Sequence, residues 1–203
     1  MGNRRTWLVG LAAAALLGVL LLGYGIDWLR PTGAAMAQTQ PASGQSQPPA
    51  PASTPSLSGT YTDPQERFEV GILEAMTISS AGSSPLFQRP DGNLAYTVVV
   101  VPLAPGTADP LPDVALVRAA EDAFGAGEGF QTTGFQSVAG GGLQIGWTGR
   151  FSQGAAPAKP IMGTILAKQQ GAEIFLLMVA GIDTGMEEVT SAIASLAPTL
   201  KVL

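Results

Sequence analysis

The sequence predicts an α+β domain, an α/β/α sandwich around a mainly antiparallel sheet, preceded by an N-terminal membrane helix and a disordered linker. Three observations carry this reading. From Tyr61 onward, apolar residues alternate or run continuously over short segments, the pattern of strands. Glycine-bearing turns follow one another closely enough to join those strands antiparallel. Two longer stretches place apolar residues at helical spacing, each closed by Gly or Pro.

The first element follows Arg4 and Arg5. Residues 7–26, WLVGLAAAALLGVLLLGYGI, are twenty residues without a charge, and at about 1.5 Å per residue they reach about 30 Å, one hydrocarbon core. The arginines precede this span and the large domain follows it, so the positive-inside tendency puts the domain outside the cytoplasm. Ala35-Met36-Ala37 is a small-residue site that signal peptidase could cut after Ala37. Residues 1–37 are therefore a signal peptide or a membrane anchor, the spanning length favouring the anchor. The arginine pair before Trp7 and Leu8 resembles a twin-arginine export signal, but the flanking Ser and Lys of the fuller pattern are missing, which favours an ordinary positive n-region.

Residues 38–60 hold five Pro, five Ser and four Gln, no charge, and Leu57 as the single large apolar side chain. Such a segment cannot bury enough surface to offset its ordering entropy and is expected to be a tether. Residues 61–203 form the domain. It carries seven basic and fourteen acidic side chains, a net charge of −7, without the basic stripe of a nucleic-acid binder. No nucleic-acid partner is expected, and membrane association rests on the N-terminal helix.

Within the domain, Tyr61 to Val70 reads as a hairpin with a Pro64 turn, entering a strand where Phe68, Val70 and Ile72 alternate with Glu69. Leu86 to Asn93 reads as the turn feeding a central strand, Asn93 to Leu103, apolar on both faces from Val98 to Val101. Pro110 to Gly125 shows Val114, Val117, Ala120 and Phe124 at helical spacing, with Asp109 as the expected N-cap. Turns at Gly140-Gly141-Gly142, around Gly154 to Pro160, and at Gln169-Gln170-Gly171 separate strands near 130–138, 143–152, 161–169 and 173–180, an antiparallel meander. A closing helix capped by Asp183 or Thr184 carries Met186, Val189, Ile193 and Leu196 as one buried stripe and ends at Pro198.

The chain contains no His and no Cys, which removes imidazole bases, Ser-His and Cys-His nucleophiles, thiol redox and the usual zinc and copper sites. Glu121-Asp122 and Glu187-Glu188 are neighbours on helices and point about 100° apart, poor geometry for paired acids. Asp109, Asp113 and Glu121 lack the dense spacing of a calcium loop and read as capping and solvated charge. Lys159 and Lys168 have no Ser at catalytic spacing, and Gly140-Gly141-Gly142 lacks the helix and Lys of a phosphate cradle. No catalytic residue, metal site or cofactor is expected. Gln144, Thr148 and Arg150 share a strand face that two helices cover incompletely and form the expected contact face. Trp147 points to the opposite face as core, and Tyr96 is expected to pack with its hydroxyl satisfied.

The order of a Tyr61-x-Asp63 to Phe68-x-Val70 hairpin, a long strand at Leu94 to Val101, one helix, a meander and a closing helix resembles the PsbP-like family. These are extrinsic lumenal proteins related to the oxygen-evolving complex of photosystem II. The resemblance covers Tyr61 to Val202. FQRPDGNLAYTVVVVPL, GEGFQTTGFQSVAGGGLQIGWTGR and ILAKQQGAEIFLLMVA resemble phrases of its cyanobacterial branch. It implies a PsbP-like sandwich, a thylakoid-lumen or periplasmic address, and a non-enzymatic accessory or assembly role at a membrane protein complex such as photosystem II or its assembly intermediates. Better-known members dock through basic patches and bind metal through His, which this acidic chain without His does not reproduce. The alternative is a carrier of a small apolar ligand, lipid or pigment in the same compartment.

Overall fold

The computed structural model describes residues 55–107, 110–152 and 154–203. The expected span at 7–26, the Ala35-Met36-Ala37 site, residues 38–54 and Asp109 lie outside the described residues. Among those described, no helix is long and apolar enough to cross a membrane.

β1 (Leu57–Thr62) and β2 (Phe68–Leu73) form the expected hairpin, with Tyr61 opposite Val70. The strand begins at Leu57, inside the segment expected to be linker up to residue 60. Its Ser, Gly and Thr positions stay exposed, so before Tyr61 the strand is held by main-chain pairing, and composition conceals it. β3 (Thr77–Ala81) and β4 (Ser84–Gln88) make a second hairpin through Gly82 at φ 66°. Leu86 to Gln88 are thus strand, and the turn is confined to Arg89–Asn93, where the Gly92 N–H donates to the Arg89 carbonyl at 2.9 Å. Pro85 is accommodated in β4 because the pairing with β5 begins only at Leu86, so its missing N–H is not needed there.

β5 (Leu94–Pro102) pairs with β9 (Glu173–Ile182) along its whole length, and β6 (Gln131–Ser137), β7 (Leu143–Phe151) and β8 (Lys159–Gln170) complete the expected meander. The result is a seven-stranded antiparallel sheet in the order β3-β4-β5-β9-β8-β7-β6, beside a three-stranded sheet β1-β2-β10 closed by β10 (Lys201–Val202). This is an α+β fold with a helix on each face of the large sheet.

α1 (Asp113–Phe124) covers one face, burying Leu116, Ala120, Ala123 and Phe124 against Leu143, Ile145, Trp147, Ile165 and Leu176. Of the expected stripe, Ala120 and Phe124 are buried and Val117 packs against the core, whereas Val114 at the first turn of the helix is 67% exposed. The helix has no side-chain N-cap bond. α2 (Gly185–Leu196) covers the other face with Val189, Ala192, Ile193 and Leu196, Met186 being half-buried; a 3₁₀ turn at Ala197–Thr199 follows it through Pro198. Under α2 lie Phe175, Leu177 and Val179, while Leu176 and Met178 point to α1, so β9 is buried on both faces as its unbroken apolar run requires.

Aromatic rings join the two sheets. Tyr61 meets Phe87 edge-on at 5.4 Å, and Phe87 stacks on Tyr96 at 4.4 Å. The Tyr96 hydroxyl accepts from the Leu73 N–H at 3.1 Å and donates to the Gly71 carbonyl at 2.9 Å, so β5 is hydrogen-bonded to β2. Burial pushes this hydroxyl's pKa well up, which keeps it a donor.

The β1–β2 turn rests on Asp63, only 3% exposed, which accepts from Arg67 Nε at 2.7 Å and Nη2 at 3.1 Å. Burial works against ionisation of this carboxyl, but the Arg67 hydrogen bonds and charge outweigh it and lower its pKa. A lowered folded-state pKa means stability present above the unfolded value of about 3.9 and lost as the pH falls through the folded value. Asp63→Asn is therefore expected to cost about 2 kcal/mol at neutral pH. It should also flatten the loss of stability below about pH 4, read as melting temperature against pH in both proteins.

Candidate functional site

The expected contact face is built by β7. Leu143, Ile145, Trp147 and Phe151 are buried, whereas Gln144 and Thr148 are half-buried and Arg150 is exposed. Strand alternation puts the three polar side chains on the face opposite α1. Gln144 pairs with Gln136 of β6 and Leu166 of β8, Thr148 with Gln131 and Met162, and Arg150 with Pro160. Gln144 and Thr148 lie about 13 Å apart along the strand. Between them Gly146, opposite Gly134 and Thr164, floors a shallow groove of about 290 Å³ flanked by Thr133, Phe135 and Gln136. A Cβ at Gly146 would stand 2.7 Å from Thr133 Oγ1, so the groove depends on that glycine. Arg150 is placed less squarely than alternation suggests. Its N–H donates to the Glu128 carbonyl at 2.8 Å, and its Cγ lies 3.3 Å from where a Cβ at Gly129 would be, at the end of the sheet.

α2 packs over β5, β9 and β8 and leaves this part of the sheet open. Met162, paired with Thr148, is 42% exposed there. A charge pattern that the sequence reading missed marks the same region. Residues 131–170, the whole of β6, β7 and β8, contain no Asp or Glu, only Arg150, Lys159 and Lys168. Within a domain of net charge −7, this block is +3 and the remainder −10. Lys159 reaches Asp183 at 2.6 Å, whereas Arg150 and Lys168 make no ion pair among the described residues. Counting charges per strand instead of per domain would have found it.

The acidic residues weighed as ligands are engaged elsewhere. Asp113 accepts from Ser137 Oγ at 3.2 Å and Glu121 from Thr132 Oγ1 at 3.0 Å, fastening α1 to β6. Glu188 is bound by Arg89, with Nη1 to Oε1 at 2.8 Å; this hydrogen bond lowers its pKa and ties the β4–β5 turn to α2.

On the α1 side, a cavity of about 40 Å³ lies among Ala95, Phe124, Phe130, Trp147, Ile161 and Met178. Trp147 is buried as expected, 5% exposed and stacked on Phe130 at 5.3 Å. Its indole N–H has no hydrogen-bond partner among the described residues.

No family model matches the chain, and no curated protein matches it. Solved structures do. The Ran-binding protein Mog1p of Saccharomyces cerevisiae superposes with a TM-score of 0.50 at 6% identity, over 72% of this chain and 96% of its own. The likeness is one of fold. Cyanobacterial PsbP from Synechocystis aligns with a TM-score of 0.49 at 11% identity, over 76% of this chain and 96% of that one. A Bacteroides thetaiotaomicron structure aligns with a TM-score of 0.48 at 11% identity over 71% of this chain; the chain spans 48% of that structure's length.

Proposed function

We propose that the protein is a non-enzymatic accessory or assembly module that contacts a membrane protein complex through the open β6–β8 face, with Gln144, Thr148 and Arg150 at its centre. The observation that carries this reading is the coincidence of exposure and charge. On the α2 side of the large sheet no helix packs over β6 and β7, and these strands belong to the acid-free block of an acidic domain. A face of this kind suits a partner surface that is neutral or acidic and is repelled least where the domain's own carboxylates are absent. The extracytoplasmic address rests on Arg4 and Arg5 before the apolar span. The photosystem as the complex rests on the PsbP-like resemblance of residues 61–202.

The carrier reading has less support. A lipid, quinone or pigment site occupies roughly 300–1,000 Å³, and the apolar cavity under α1 is about 40 Å³. Arg150→Glu places a negative charge on the open face. It is expected to weaken partner binding about tenfold, equivalent to about 1.4 kcal/mol, while the melting temperature stays within a degree or two of wild type, as about 0.5 kcal/mol or less at an exposed site implies. Binding of the tagged chain to solubilised source membranes measures this; unchanged recovery across Arg150, Thr148 and Gln144 variants would sink the assignment of the face.

A further inference from the structure

The cavity under α1 presents a donor without an acceptor. The indole of Trp147 spans two strands: a Cβ at Gly149 of β7 would lie 3.4 Å from Cζ3, and one at Gly163 of β8 would lie 2.5 Å from Nε1. The N–H end therefore points past Gly163 toward β9, where Met178 and Ala180 line the cavity. A buried donor left unpaired costs about 1–3 kcal/mol. Water is a poor remedy here, because a buried water makes about three hydrogen bonds, and the cavity that Trp147 lines is walled largely by apolar side chains, among them Ala95, Phe124, Ile161 and Met178. Gly92, Gly127 and Gly149 also line the cavity, and Asn93, Glu128 and Arg150 form its polar rim. Glu128 and Arg150 are opposite in sign, so the rim favours no net ligand charge.

We propose that this cavity is a binding site for a small neutral molecule, or the end of a larger one, that offers one carbonyl or hydroxyl oxygen to Trp147 Nε1 and a compact apolar remainder to Ala95, Ile161 and Met178. The cavity opens on the α1 side of the sheet and shares only Arg150 with the β6–β8 face, so Gln144 and Thr148 variants leave it untouched.

The test uses the full chain, ¹⁵N-labelled and solubilised in detergent, with acetone as the acceptor probe and xenon as an apolar probe of similar bulk. The chain has three tryptophans, Trp7, Trp28 and Trp147, and the Trp147→Phe variant assigns the indole signal. Acetone is expected to move the Trp147 N–H resonance downfield saturably. Trp147→Phe should weaken acetone roughly five- to tenfold, as loss of one hydrogen bond implies, and leave xenon binding unchanged. Ala95→Val, which fills the cavity while keeping the indole, should abolish both. A Trp147 resonance unmoved by acetone, or one showing cross-relaxation to a long-lived water that acetone does not displace, would overturn the proposal.

Discussion

Gly163→Ala is expected to destabilise the domain by about 3 kcal/mol, the upper end of overpacking in a close-packed core. A methyl at this position would overlap the Val179 carbonyl oxygen and lie 2.5 Å from Trp147 Nε1 and 2.7 Å from Cε2. Neither neighbour can yield. Val179 is main chain within the β8–β9 ladder, and Trp147 is confined between the sheet and Phe130. For a chain of this size the expected loss is about 6–12 °C in melting temperature, measured by thermal unfolding of the full chain beside wild type. Gly154→Ala is the contrasting control, since nothing lies within 4 Å of its Cβ position and only its φ of 56° opposes a side chain. A Gly163→Ala protein as stable as that control would mean that Trp147 does not lie over Gly163.

Phe175→Ala is expected to cost about 3–5 kcal/mol, the usual range for emptying a buried aromatic site. Phe175 is fully buried beneath α2, with its ring edge-on to Phe68 at 6.4 Å, so it joins the large sheet to β2 as well as filling the core. The loss is a substantial fraction of the roughly 5–15 kcal/mol by which domains are stable. Because β9 points Phe175 to α2 and Met178 to α1, the change should leave the fluorescence of Trp147 in the remaining folded fraction as in wild type. Chemical denaturation followed by far-ultraviolet dichroism gives the first quantity, and native emission gives the second.

The elements that announce themselves by period were legible in the sequence. Leu143, Ile145 and Trp147 alternate with half-buried neighbours, Phe175 to Val179 are apolar on both faces, and glycine turns separate the four meander strands, so their order and pairing follow from burial and turn chemistry alone. The hairpin from Tyr61 to Val70 was legible, but the start of β1, the strand β10 and the extent of β4 were not, for reasons of the same kind. Before Tyr61, β1 takes its stability from main-chain pairing by Ser, Gly and Thr, which composition reads as linker. β10 is two residues long, too short for any period. β4 carries Pro85 at a position where no ladder bond is needed. In α1 the expected stripe holds from Val117 to Phe124, and only Val114, in the first turn, departs from it by exposure.

At the site, alternation separated Gln144 and Thr148 from Trp147, while Arg150 reaches the rim of the cavity that Trp147 lines. Alternation could not show that Arg150 would pack its stem beside Gly129 at the sheet's end, because the path of the α1–β6 loop sets that contact. The acid-free block was present in the sequence but diluted by the acidic residues outside it. The orphaned indole N–H required coordinates, since only the closeness of Gly163 reveals where that edge of Trp147 points.

The central claim, that the open β6–β8 face is a docking surface, is tested most directly by native co-purification of the chain tagged after Leu203. The comparison is between wild type, a face variant carrying Thr148→Glu and Arg150→Glu, and a control carrying Val114→Glu on the exposed turn of α1. Mildly solubilised source membranes supply the partner, and the intact mass reports whether residues 1–37 remain. The account predicts that wild type and the Val114 control recover the same membrane-complex subunits in stoichiometric amount, photosystem subunits if the finer reading holds, and that the face variant recovers none. Equal recovery by all three proteins, or wild type emerging alone, would contradict it.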